Sequence, residues 1–230
     1  MPDTGATWSY ATSVNNYGVV LGASRLSAAD ALVVHTLIWR NQGTGASPLF
    51  TGYTDVHPWS SRYTASASYP TTLTNEAKPT VGGVADFAVA AGSTLANRYG
   101  YVSKQGNEGL FIWDSRCTIA HPTDPSRMIT CYESNITGIQ TPTARNPSYA
   151  VGTASFDLGG GSGNIVRYAF RYRYYPTPAA NIEVIDRRVL VPSLPAGMNI
   201  MGAGNISASG QITVRMTKDA TGDSISALLY

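Results

Sequence analysis

Charge is what this sequence has least of. Lys and Arg number 16 and Asp and Glu 14 in 230 residues, 13% of the chain, against about 25% in an average soluble domain. The net charge of +2 argues against general electrostatic binding to nucleic acid. Only Lys78, Lys104 and Lys218 are lysines, so the other cations are arginines, which give the planar, bidentate, stackable contacts that lysine cannot. Apolar runs are short as well. None approaches 18 residues, so no spanning helix is expected. Histidine is limited to His35, His57 and His121, and cysteine to Cys117 and Cys131. Only His121 lies near the cysteines, so neither a two-cysteine zinc site nor any cofactor is expected.

The two cysteines bracket 13 residues that include His121, Pro122, Asp124 and Pro125. A bridge closing such a loop is worth about 3 kcal/mol by chain entropy, and it requires a Cα separation below ~7 Å. The other reading is a pair of small hydrophobes. The start, Met1-Pro2-Asp3-Thr4-Gly5, is polar and has no apolar core of a secretory signal. Either such a signal has been removed, or the protein reaches its place of action without the secretory pathway, as virus-particle proteins do.

What is abundant points to strands and turns: 23 Gly, 13 Pro and 14 Tyr. Asn15-Asn16-Tyr17-Gly18 breaks an apolar stretch as a hairpin turn would. Leu32 to Trp39 and Leu110 to Trp113 read as strands. Between Arg167 and Tyr175 the alternation is strict. Tyr168, Phe170, Tyr172 and Tyr174 take one face, and Arg167, Arg171 and Arg173 the other. Ile182 to Val191 and Gln211 to Met216 are further strands. Ala85 to Ala96 is the best helix candidate, and the Gly-rich 157–164 a loop.

One pattern recurs: an apolar–Asn/Thr–turn–apolar–Gly hairpin, a variable loop and an apolar-aromatic strand. Its copies run Ala11 to Ala23 with His35-Thr36-Leu37, Leu73 to Ala85 with Gly109-Leu110-Phe111, Ile136 to Ala154 with Tyr168-Ala169-Phe170, and Gly204 to Val214 with Ser226-Ala227-Leu228. At these residues the chain resembles the bacterial HAF extracellular repeats, named for a His-Ala-Phe strand after an Asn-x-x-Gly-x-Val-x-Gly hairpin. The triplet itself never occurs intact. The resemblance implies a propeller-like array of small sheets, no enzyme activity and no established ligand. The expected fold is therefore one all-β domain over residues 1–230, with about four small antiparallel sheets from units near 8–45, 46–115, 116–180 and 181–230. A β-sandwich or jelly roll is the alternative. Trp39, Trp113, Phe170 and Leu228 should then be buried near the ends of comparable strands.

No metal-ligand or nucleophile–base spacing is visible, so no catalytic residue is assigned. Asp55 with His57, and His121 with Asp124, are the nearest acid–base pairs. Asp219 and Asp223 are the close acidic pair, in a segment that reads as a hairpin turn. Trp59 and Tyr63 share a polar loop and offer an aromatic platform for a sugar ring or an anchor at a protein interface. The row Arg167, Arg171 and Arg173 is the second candidate surface, suited to carboxylates or other anions. Tyr and Arg lie on opposite faces there, which disfavours RNA binding by stacking. The expected function is non-enzymatic binding of a glycan or cell-surface partner within a homo-oligomer, outside the cell or on a virus particle. The alternatives are a structural subunit of a virus or phage particle, and a glycoside hydrolase or lyase on a β scaffold.

Overall fold

The computed structural model describes residues 8–25, 34–44, 47, 49–50, 52–59, 65–87, 98–143, 146–159, 163–186, 194–218 and 221–229. Among them the fold is all-β. The strands are β1 (Ser9–Val14), β2 (Val19–Arg25), β3 (Val34–Arg40), β4 (Thr54–Asp55), β5 (Ala67–Leu73), β6 (Thr80–Asp86), β7 (Arg98–Lys104), β8 (Leu110–Phe111), β9 (Thr118–His121), β10 (Asp124–Thr130), β11 (Glu133–Ile139), β12 (Ser148–Asp157), β13 (Ile165–Tyr175), β14 (Glu183–Val184), β15 (Met198–Ile206), β16 (Ile212–Lys218) and β17 (Ser224–Leu229). A short 3-10 turn covers Asp114–Cys117.

The strands form a four-stranded sheet β1-β2-β3-β4, an eight-stranded sheet β14-β13-β12-β11-β7-β6-β5 with β8 on β7, a hairpin β9-β10, and a three-stranded sheet β15-β16-β17. None closes into a barrel. The eight-stranded sheet is two antiparallel groups, β5–β8 and β11–β14, joined by one parallel pairing of Glu133 with Arg98. Packing runs in chain order. The first group lies on β5, the second on β11, and the third on β15.

Three groups share one local geometry. The first hairpin skips a threonine, Thr12, Thr71 or Thr137, and the residue before it faces Gly22, Gly83 or Gly152. Side chains are impossible at those glycines. An added Cβ would stand 2.0 Å from the Tyr10 carbonyl, 2.3 Å from that of Tyr69 and 1.8 Å from that of Asn135. Two of the skipped threonines also join neighbouring groups. Thr71 Oγ1 donates to the Ile136 carbonyl at 2.6 Å, and Thr137 Oγ1 to the Ala203 carbonyl at 2.7 Å. The hairpin turns join likewise, from Asn15 Nδ2 to the Thr74 carbonyl, Asn75 N to Thr141 Oγ1, and Gln140 Nε2 to the Ala208 carbonyl.

The strand over 165–175 follows its alternation, with Phe170, Tyr172 and Tyr174 buried. β2, β6 and β12 are buried on both faces, which explains their runs of small and β-branched residues. Several expectations need correction. Leu110 to Trp113 supplies only the two-residue β8. The third strand of that group is Arg98–Lys104, whose Gly, Ser, Arg and Lys obscure it in sequence. Trp113 therefore does not share the place of Trp39. It is half-buried among Phe87, Tyr99 and Phe111. Trp39 and Phe170 are buried, Phe170 in mid-strand, but Leu228 is 42% exposed. Ala85 and Asp86 end β6 in place of starting a helix; residues 88–97 lie outside the described residues. Of Ile182 to Val191, Glu183–Val184 is the strand, and 187–191 is not described.

Candidate binding site

The Cys117 and Cys131 sulfurs are bonded, with the Cα atoms 5.5 Å apart. The bridge closes the β9–β10 hairpin, and Cys131 N donates to the Cys117 carbonyl at 2.8 Å. The segment read as a loop is thus an ordered arm fixed at its base.

The arginine row divides. Arg171 is held internally: Nε donates to Glu183 Oε2 at 2.7 Å, and the guanidinium lies 4.8 Å from the centre of the Tyr149 ring. Arg173 is exposed. Arg167 is exposed too, its Nη2 4.0 Å from Glu133 Oε1. Trp59 is 46% exposed, and its carbonyl accepts the Gly109 N–H at 2.7 Å. Tyr63 lies outside the described residues.

Arg167 opens onto a cleft of about 640 Å³. The cleft exists because β15 is bare in its middle. Gly202 and Gly204 carry no side chains, and a Cβ on either would come within 2.7 Å of a threonine hydroxyl, Thr153 or Thr213. One bank of the cleft holds Arg98, Glu133, Thr153, Ser155 and Arg167. The other holds Thr213, Arg215, Thr217 and Ser226. Three guanidiniums and the Glu133 carboxylate thus line it, among hydroxyls. Glu133 Oε1 is occupied by the Ser155 hydroxyl at 2.8 Å. Arg98 is held by Asp86 through Nε at 2.7 Å and Nη2 at 3.2 Å, and this hydrogen-bonded carboxylate raises the guanidinium pKa. Arg215 Nη2 donates to Ser224 Oγ at 3.2 Å. Such a cleft can receive an anion by paired N–H bonds and a polyhydroxylated ligand by the hydroxyls. Sequence reading found Arg167 but not Arg98, Arg215 or Glu133, which sit on separate strands. The one local signal was Gly202-Ala203-Gly204 inside a strand.

The acid–base candidates form a different arrangement. His35 Nδ1 donates to Asp55 Oδ2 at 2.7 Å, and the two imidazoles of His35 and His57 stack 4.4 Å apart. His57 hydrogen-bonds Asp55 through its backbone N–H, at 2.8 Å. Its Nε2 faces the Ala65 carbonyl at 3.0 Å, which can only accept, so Nε2 carries the proton. Its Nδ1 then accepts from Ser68 Oγ at 2.8 Å. Ser68 Oγ in turn accepts from Thr36 N and Oγ1, and Thr36 Oγ1 from Tyr101 OH at 2.6 Å. Burial lowers the His57 pKa and raises that of Tyr101. Burial opposes the Asp55 carboxylate, but the His35 hydrogen bond, the His57 amide and both imidazole charges outweigh it and leave its pKa below the ordinary value. Ser68 is fully buried. The network ties the first group to the second through β3, β5 and β7, and offers no accessible nucleophile.

His121 and Asp124 face each other across the β9–β10 hairpin, but their side-chain hydrogen bonds go elsewhere. Asp124 Oδ1 takes the Ser126 hydroxyl at 2.6 Å, and His121 Nε2 faces the Leu158 carbonyl at 3.2 Å. Asp223 takes the Thr221 hydroxyl, and Asp219 is not among the described residues. No family model matches the chain, and no curated protein or solved structure matches it.

Proposed function

We propose that this protein acts by binding, and that the cleft across β15 takes an acidic saccharide, carboxylated or sulfated, within an assembly of its own copies. The observation that carries the reading is the cleft lining: Arg167 and Arg215, with Arg98 paired to Asp86 behind it, against the one lining carboxylate of Glu133, interspersed with serine and threonine hydroxyls over a glycine-bared strand. Guanidinium forks match carboxylate and sulfate oxygens, and hydroxyls match sugar hydroxyls. The four strand groups are read as copies of one HAF-like unit, set side by side as blades are. The shared glycine and threonine places in three of them support this. The bridge between Cys117 and Cys131 supports a place outside the reducing cytosol, at a cell or particle surface. A role as a particle subunit is the second reading, favoured by the exposed apolar side chains of Val14, Tyr17 and Met128.

Titration calorimetry tests the binding reading with an oligogalacturonate, a sulfated oligosaccharide and a neutral maltooligosaccharide. The acidic probes bind saturably and more weakly as salt rises, the neutral one does not. Arg167→Ala and Arg215→Ala each weaken binding by about tenfold or more, the worth of one charged hydrogen bond. Equal binding of the neutral probe, or no binding of either acidic one, overturns the reading.

A further inference from the structure

In three strand groups the third strand carries a short fourth one in a fixed register. Leu37 faces Asp55 and Ile38 faces Thr54; Tyr101 faces Phe111 and Val102 faces Leu110; Phe170 faces Val184 and Arg171 faces Glu183. All three pairings are antiparallel. The next N–H in each case, of Val56, Ile112 or Ile185, bonds the carbonyl one residue earlier on the third strand, at 3.0, 2.8 and 2.9 Å. By the pairing of the terminal sheet, the equivalent third strand is β17, with Ala227 and Leu228 in those places. Among the described residues nothing pairs with the outer edge of β17.

That edge has none of the usual protection. Its sequence, Ser224-Ile225-Ser226-Ala227-Leu228-Leu229, contains no charge and no proline, and its pairing with β16 shows no bulge. Ile225 is 48% and Leu228 42% exposed. The segment is also self-complementary. An antiparallel copy centred on Ala227 places Ala227 opposite Ala227, Leu228 opposite Ser226, and Ile225 opposite Leu229. The residues on the face of Ile212, Val214 and Met216 then form one apolar strip across both copies.

We propose that the fourth strand of the terminal sheet is β17 of a second copy, paired antiparallel about a two-fold axis through Ala227. The pairing is isologous, so it closes at two chains and does not propagate. It occupies the register already used by β4, β8 and β14. It deepens the assembly part of the reading above and is independent of the saccharide part.

The test is cysteine cross-linking of the full chain with light scattering. In the Ala227→Cys variant the new thiol faces its own mate, and under mild oxidation it yields a covalent dimer on non-reducing gels, in large excess over Thr213→Cys on the same sheet. Wild type elutes with the mass of two chains, and Ile225→Lys with Leu228→Lys, both exposed sites, elutes as one chain with its unfolding midpoint retained. A wild-type oligomer that the lysines leave intact, with no excess of covalent dimer from the Ala227→Cys variant, overturns this surface while leaving self-assembly standing. A monomeric wild type overturns both.

Discussion

The first hairpins of the inner groups and that of the terminal sheet are built on opposite requirements. At Gly22, Gly83 and Gly152 any side chain would collide with the partner strand's carbonyl. At the corresponding place in the terminal sheet stands Val214, facing Ala203 and buried at 2% exposure. The inner hairpins bulge at a threonine, and Thr71 and Thr137 use it to bond the next group. The terminal hairpin bulges around Gly204 and Asn205, and its far face carries Thr213, Arg215 and Ser226 in the places where the first group has Leu21, Ala23 and Thr36. An inner group must accept a neighbour. Among the described residues no further group covers that face of the last sheet, and there polar residues stand in place of apolar ones, and glycines that bare a strand in place of glycines that serve packing.

Substitutions in opposite senses test this contrast most strongly. Gly152→Ala is expected to cost about 3 kcal/mol or more, because the added Cβ meets a backbone oxygen that cannot move away. The reverse exchange in the terminal sheet, Val214→Gly, is expected to cost about 2 kcal/mol through lost apolar burial. Both are read by urea denaturation. A tolerated alanine at 152 would break the comparison at its root.

A smaller effect separates the joints from one another. Thr137→Val removes the hydroxyl bonded to the Ala203 carbonyl and is expected to cost about 1 kcal/mol. Thr12→Val is expected to cost less, since among the described residues Thr12 Oγ1 reaches the Leu21 carbonyl of its own hairpin, at 3.4 Å, and no neighbouring group. Equal costs at the two sites would deny the inter-group role.

The joint between the first and second groups differs again, because it contains titratable members. The folded pKa of His57 lies below its ordinary value, so the unfolded chain binds more protons as pH falls below about 6.5. Stability is full above that pH and declines below it. The lowered pKa of Asp55 leaves its contribution intact down to the ordinary carboxylate range and adds a further loss there. His57→Gln is expected to flatten the slope between about pH 6.5 and 5, measured from urea midpoints at each pH. An unchanged slope would show that His57 is not buried neutral in solution.

Much of the fold was legible where periodicity is strong. The Tyr and Arg alternation of β13, the turn at Asn15 to Gly18 and the pairing of Cys117 with Cys131 are local signals. The third strand of the second group was not. Its charged ends pair elsewhere, Arg98 with Asp86 and Lys104 with Glu76, and Gly100 stands where a Cβ would come 3.0 Å from the Asn135 backbone. The run Gly109 to Trp113 looked more strand-like because its aromatics fill a cluster; of these residues Leu110 and Phe111 pair, with Val102 and Tyr101. The candidate site was harder still. Arg167 belonged to a visible row, but Arg171 of that row is spent on Glu183 and Tyr149. The partners of Arg167 come from β7, β11, β12, β15, β16 and β17, and only the tertiary register brings them together.

The central claim is that the bared middle of β15 is a ligand seat. Amide shift mapping with an acidic oligosaccharide tests it most directly. The predicted result is saturable shifts of the Gly202 and Gly204 amides together with Thr153 and Thr213, abolished in Arg167→Ala. Saturable shifts confined to other surfaces, such as the Trp59 loop, or none at any of these amides, would contradict it.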